Sequence, residues 1–95
     1  MQFLAISRLR TELYADEDFA PYLEEEAQRA RQLYMDGHVR QIWYRGDIRG
    51  ACSLIEAPDR EAALAHLETL PLVRAGMLEI QLVIPLLPYR GFGPR

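Results

Sequence analysis

The chain reads as a small α+β domain whose elements run strand, helix, strand, strand, helix, strand. Three observations predict this. Short runs rich in β-branched and aromatic residues occur near the start, the middle and the end of the chain. Two intervening segments space their apolar residues as a helix does. The length of 95 residues allows one domain, spanning 1–95, and not two.

Residues 2–9 (Gln-Phe-Leu-Ala-Ile-Ser-Arg-Leu) form the first expected strand, with Phe3, Ala5 and Leu9 on one parity and Leu4 and Ile6 on the other. Asp16 or Asp18 is placed to cap a helix, and Pro21 is tolerated in its first turn. That helix is expected to run to about Asp36 and to stop at Gly37. Val39, Ile42, Trp43 and Tyr44 favour a second strand. Arg45-Gly46-Asp47 makes a turn, and a third strand returns over 48–56. Ala57-Pro58-Asp59 caps a second helix from Arg60 to about Leu70, ended by Pro71. The last strand, 77–84, alternates Leu78, Ile80, Leu82 and Ile84 against Glu79, Gln81 and Val83. Pro85 and Pro88 then break the sheet and leave a tail over 85–95.

This order is that of a ferredoxin-like βαββαβ sandwich: a four-stranded antiparallel sheet with two helices on one face. Apolar residues also fall on the other parity, namely Trp43 with Val39, Val83 and one of the two first-strand sets. A domain this short buries only roughly 60 to 68 % of its unfolded surface. An exposed apolar sheet face is normally a binding surface, so a second copy of the chain is the expected cover, with the tail reaching a neighbour.

Composition excludes several functions. A net charge of −3 with scattered arginines provides no concentrated basic face for nucleic acid. All 11 basic residues are arginine, which excludes a side-chain Schiff base and anchored pyridoxal phosphate, since both need a lysine amine. One cysteine, Cys52, allows neither an internal disulfide nor a multi-cysteine zinc site. His38 and His66 show no metal-ligand spacing, so neither a metal nor an organic cofactor is expected. The first residues carry no charged leader and too short an apolar run for a signal peptide. No segment approaches the ~20 apolar residues of a membrane helix. The expectation is a cytoplasmic protein without membrane or nucleic-acid partners.

Glu26 is the informative residue. Taking Phe19 as zero on a helical wheel, Ala30 lies at about 20°, Leu23 at about 40° and Leu33 at about 320°. Glu26 falls at about 340°, inside this apolar stripe, whereas Glu24 and Glu25 fall at about 140° and 240°. A core-facing carboxylate is costly unless it is hydrogen-bonded or paired. Desolvation raises its pKa towards working pH, which suits a general base. The structural alternative is that Glu26 pairs with an arginine, such as Arg40, or reaches to the helix edge.

Glu26-Ala27 on the first helix, followed by the run Asp36-Gly37-His38-Val39-Arg40-Gln41-Ile42-Trp43, resembles muconolactone isomerase. Ala63-Leu64, then Leu70-Pro71-Leu72 and Glu79-Ile80, keep the spacing of that family without a gap. The resemblance implies a dimeric α+β barrel, built into larger rings, and a cofactor-free proton shift on an unsaturated lactone. It implies Glu26 as the proton-transferring group, Arg40 as partner of a substrate carboxylate, and Trp43 as a site residue that excludes water. Leu4 and Ile6 stand where the family tends to place polar and basic residues, and the proline-rich tail also differs.

His38, Tyr44 and Tyr22 complete the expected substrate-binding set, with Tyr44 and Arg49 at the pocket mouth. Two rival readings accompany the isomerase: another cofactor-independent enzyme of the same fold, such as a polyketide cyclase or a monooxygenase on an aromatic substrate, and a non-catalytic module that binds a small ligand or assembles.

Overall fold

In the computed structural model, which describes residues 1–92, strands β1 (Gln2–Leu9), β2 (Val39–Tyr44), β3 (Gly50–Glu56) and β4 (Leu78–Leu86) form one antiparallel sheet. Their order is β2-β3-β1-β4, the ferredoxin-like topology that the element order predicts. The tail expected to reach a neighbour falls partly outside the described residues, at 93–95.

The helical layer is more broken than its spacing implied. A first short helix, α1 (Asp16–Phe19), passes into a 3₁₀ turn at Ala20–Tyr22 and only then into α2 (Leu23–Met35). Pro21 sits in the 3₁₀ turn, where its missing N–H costs least. Neither aspartate takes the cap position: Ala15 does, and Asp18 reaches back to accept from the Ala15 N–H at 2.8 Å. Gly37 ends α2 as expected, at φ +83°. The His38 N–H reaches the Leu33 carbonyl and the Gly37 N–H reaches that of Tyr34, which satisfies the last turn.

Asp59 caps α3 (Arg60–Leu67) by accepting from the Ala62 N–H at 2.8 Å. Pro71 does not merely end that helix. It opens another, α4 (Pro71–Arg74), closed by Gly76 at φ +73°. The pair follows the usual asymmetry of proline at the first helical position and glycine just past the last.

Two bulges redistribute the strand faces. Between β1 and β4 the register passes from Ile6↔Leu82 to Ser7↔Ile80, so Gln81 is the extra residue. Leu78 and Ile80 therefore face the helices, while Leu82 and Ile84 turn to the other side and Val83 is buried in their place. On β2 the register skips Arg40, passing from Val39↔Ile55 to Gln41↔Leu54. Val39 is consequently buried under the helices and Trp43 lies opposite Cys52 on the open face. The expected grouping of Val39 and Val83 with Trp43 is thus corrected, because a one-residue insertion flips every side chain beyond it. Pro85 does not stop β4, which continues to Leu86 as an edge strand that tolerates proline.

The main core joins Phe3, Ala5, Val39, Ile55 and Val83 of the sheet to Leu33 of α2 and Ala63 and Leu67 of α3. Burying each large side chain of this set contributes about 1.5 to 3 kcal/mol. A second cluster forms where Phe19 packs with Leu72, Met77 and Leu78, flanked by Tyr14 and Tyr22. On the far side of the sheet Leu4, Ile6, Leu54, Trp43, Leu82 and Ile84 form an apolar surface that no helix among the described residues covers.

Candidate active site

Both walls between α2 and the sheet carry small side chains: Ala27 and Ala30 on the helix, and Ala5, Ser7, Ala51 and Ser53 on β1 and β3. A helix and a sheet held apart by the larger Leu33 and Phe3 cannot close over such residues. A cavity of about 890 Å³ results. Leu72 of α4 and Ile80 of β4 contribute to the apolar lining, the end of β2 contributes Tyr44, and the β2–β3 connection contributes Arg45 and Arg49. The size lies within the range of small-molecule pockets, roughly 300 to 1,000 Å³.

Glu26 projects from α2 into this cavity and is half-buried. Its Oε1 accepts from the backbone N–H of Leu72 at 2.9 Å. That N–H lies in the first turn of α4, where the helix itself offers it no acceptor. Burial raises the Glu26 carboxyl pKa above its ordinary value, and the Leu72 amide opposes the rise. The first effect is the larger. Glu26 therefore has an amide partner and not the arginine that the structural alternative supposed.

The rim is held by Arg45. Its Nε and Nη2 grip both carboxylate oxygens of Asp47, at 2.9 and 2.7 Å. Its Nη1 reaches the Ser7 carbonyl at 3.3 Å and Gln81 Oε1 at 2.6 Å. Arg45 thus ties the hairpin to the β4 bulge. The Asp47 carboxyl is held down to about 2 by this arginine. Gly50 is required here, since a Cβ at that position would lie 2.1 Å from the Ser7 carbonyl oxygen.

Of the residues expected at the site, Glu26, Tyr44 and Arg49 line the cavity, and Tyr44 is 95 % exposed at its mouth. Four others stand outside it. Arg40, carried by the β2 bulge, is exposed and helps to hold the Glu56 carboxyl low, after the N-terminal ammonium at 2.8 Å. Trp43 is half exposed on the open sheet face. His38 stacks on His66 with ring centroids 3.8 Å apart, at the α2–β2 corner. Tyr22 packs in the Phe19 cluster. Within one chain, the residues matched through the resemblance do not gather around Glu26.

Arg45, Ser7 and Ser53 were missed as lining residues. Ser7 shares the parity of Phe3 and Ala5, which was the available signal. Ser53 faces Ala5 and Arg45 lies beyond a turn, so both required the strand register. Among the described residues no three His, Cys, Asp or Glu side chains gather to hold a metal. No helix among them is long and apolar enough to cross a membrane.

Sheet order, helix layer and half-buried carboxyl together define a ferredoxin-like α+β protein with a pocket between helix and sheet. Among solved structures, this fold is that of muconolactone isomerase. A crystal structure of that enzyme at 3.3 Å superposes with a TM-score of 0.78, covering 97 % of this chain and 94 % of the other. The two sequences are 22 % identical over the match, a likeness that establishes the fold. No family model and no curated protein sequence matches the chain.

Proposed function

We propose that the protein is a cofactor-free isomerase that shifts a proton on a small unsaturated lactone or enolisable acid, with Glu26 as the transferring base. The observation that carries this reading is the half-buried Glu26 carboxyl in an apolar cavity, its pKa raised by burial. Ionised Glu26 removes the proton from the γ carbon of the α,β-unsaturated lactone, giving a dienolate conjugated with the carbonyl. The carboxylic acid so formed returns the proton one conjugated position away, and no net oxidation occurs. The cavity walls exclude water, which strengthens the interactions of the developing charge. The fold of muconolactone isomerase supports the choice of reaction.

The test is turnover of muconolactone, followed by ultraviolet absorbance and by proton NMR in deuterated buffer. The wild type is expected to isomerise the lactone and incorporate deuterium, and Glu26→Gln to lose at least a hundredfold in rate. Full activity in Glu26→Gln sinks the mechanism.

A second reading is supported by the bond from Leu72 N–H to Glu26. In a ligand-binding module the same carboxylate simply satisfies the start of α4. Binding without turnover in both proteins supports this alternative.

Self-association belongs to the same proposal. The open face of Leu4, Ile6, Trp43, Leu82 and Ile84 is covered by the sheet of a second copy. Leu82→Glu, on an outer strand of that face, is expected to shift the sedimentation coefficient to that of a monomer. An unchanged assembly refutes this cover.

A further inference from the structure

We propose that Arg49 is the anion-binding residue of the Glu26 cavity. Its ligand is an amphipathic carboxylate whose acid group sits at the rim while its apolar body enters towards Glu26. The proposal rests on the reading of this cavity as the substrate site, and it names the class of molecule that the site takes.

Charge placement argues first. Glu26 must be ionised to act as a base, so a second carboxylate cannot sit beside it without mutual repulsion in a poorly solvated space. An acidic ligand therefore keeps its anion away from Glu26. The rest of the inner lining is apolar, as at Ala27, Ala30, Ile42, Leu72 and Ile80, or carries the uncharged hydroxyls of Ser7 and Ser53. Among the described residues, the cations that meet the cavity are Arg45 and Arg49, both at the rim.

The two arginines differ in what they have left to give. Arg45 spends Nε and Nη2 on Asp47 and Nη1 on Ser7 and Gln81. A ligand reaching it must break a bidentate ion pair and the tie to the bulge. Arg49 donates from Nη1 to Asp16 alone among the described residues, which leaves Nε and Nη2 for a second acceptor. Asp16 is 85 % exposed and Arg49 52 %, and ion pairs in such surroundings contribute little. A ligand carboxylate can therefore displace Asp16 at small cost.

Arg49 is also placed in advance. Its guanidinium carbon stands 5.4 Å from the ring centroid of Phe19, which is fully buried and so forms a fixed platform. The Arg49 carbonyl accepts from the Leu9 N–H at 2.9 Å, which fixes the backbone beneath it. Ring and backbone together hold the planar fork at the rim, where it can take both oxygens of a carboxylate.

The experiment is calorimetric titration with two probes of equal shape, 1-naphthylacetate and 1-naphthylacetamide, at low salt. The wild type is expected to bind the acid about tenfold more tightly than the amide, as a charge-assisted pair requires. Arg49→Gln is expected to abolish the preference and Arg49→Lys to keep part of it. Asp16→Asn, which removes the competing carboxylate, is expected to tighten the acid about twofold or more and leave the amide unchanged. Equal binding of acid and amide to the wild type overturns the proposal, as does a preference that survives Arg49→Gln, or failure of both probes to bind. The readout is separate from turnover. If Glu26→Gln isomerises muconolactone normally while the acid preference holds, the proton-transfer reading falls and Arg49 remains the anchor of a binding site. If the preference is absent while turnover depends on Glu26, Arg49 alone falls.

Discussion

Replacing Glu26 separates its two physical roles, because glutamine keeps the acceptor and removes the charge whereas alanine removes both. The acceptor is worth about 1 to 2 kcal/mol: Glu26 Oε1 satisfies the Leu72 N–H at 2.9 Å, and loss of a helix-start acceptor costs that much. The charge works in the opposite direction. Burial raises the folded-state pKa of Glu26 above its ordinary 4.5, so the folded protein keeps a proton that the unfolded chain has lost. Stability from this group is present in full below pH 4.5 and is lost as pH rises through the folded value. At pH 7.5 the ionised carboxylate therefore destabilises the fold, and Glu26→Gln is expected to melt above the wild type. The gain is expected to vanish at pH 4. Glu26→Ala is expected to melt below Glu26→Gln at both values. At about 4 to 8 °C per kcal/mol for a domain of this size, the gap is roughly 4 to 16 °C. Thermal unfolding followed by circular dichroism at pH 4 and pH 7.5 measures all three proteins. A Glu26→Gln protein less stable than wild type at pH 7.5 refutes the reasoning, because the amide would then be stabilising the carboxylate by more than burial penalises it.

Gly50→Ala puts a Cβ 2.1 Å from the Ser7 carbonyl oxygen in the middle of paired backbone; a loss of about 3 kcal/mol is expected in urea unfolding, and an unchanged midpoint contradicts the packing. Burial, then His38 and then Arg29, lower the pKa of His66 below 6.5, so the unfolded chain binds the extra proton and stability falls as pH drops below 6.5. NMR titration is expected to find His66 titrating below 6.5, and His38→Ala to bring it closer to that value; a His66 pKa above 6.5 is the contrary result.

Much of the architecture was legible because it depends on local chemistry. Gly37 ends α2, Asp59 starts α3, and β1 spans Gln2–Leu9 as its residue types require. Helix α4 carries its own local signals, Pro71 at its first position and Gly76 just past its end, although proline in isolation reads only as a stop. The omission matters, since the first turn of α4 supplies the N–H that meets Glu26.

The order of elements and the inward direction of Glu26 are written in the chain's local chemistry. Both follow from spacings within single segments, and the spacing from Leu23 to Met35 survives the break at Pro21. Which residues surround that carboxylate depends instead on how distant strands pair. The bulges at Arg40 and Gln81 each add one residue to a strand of period two, and so exchange the faces of everything beyond them. That exchange separates Val39 from Trp43, turns Leu82 and Ile84 away from Ile80 to the open face, and buries Val83. A bulge is set by pairing between strands distant in the chain, and no local periodicity records it.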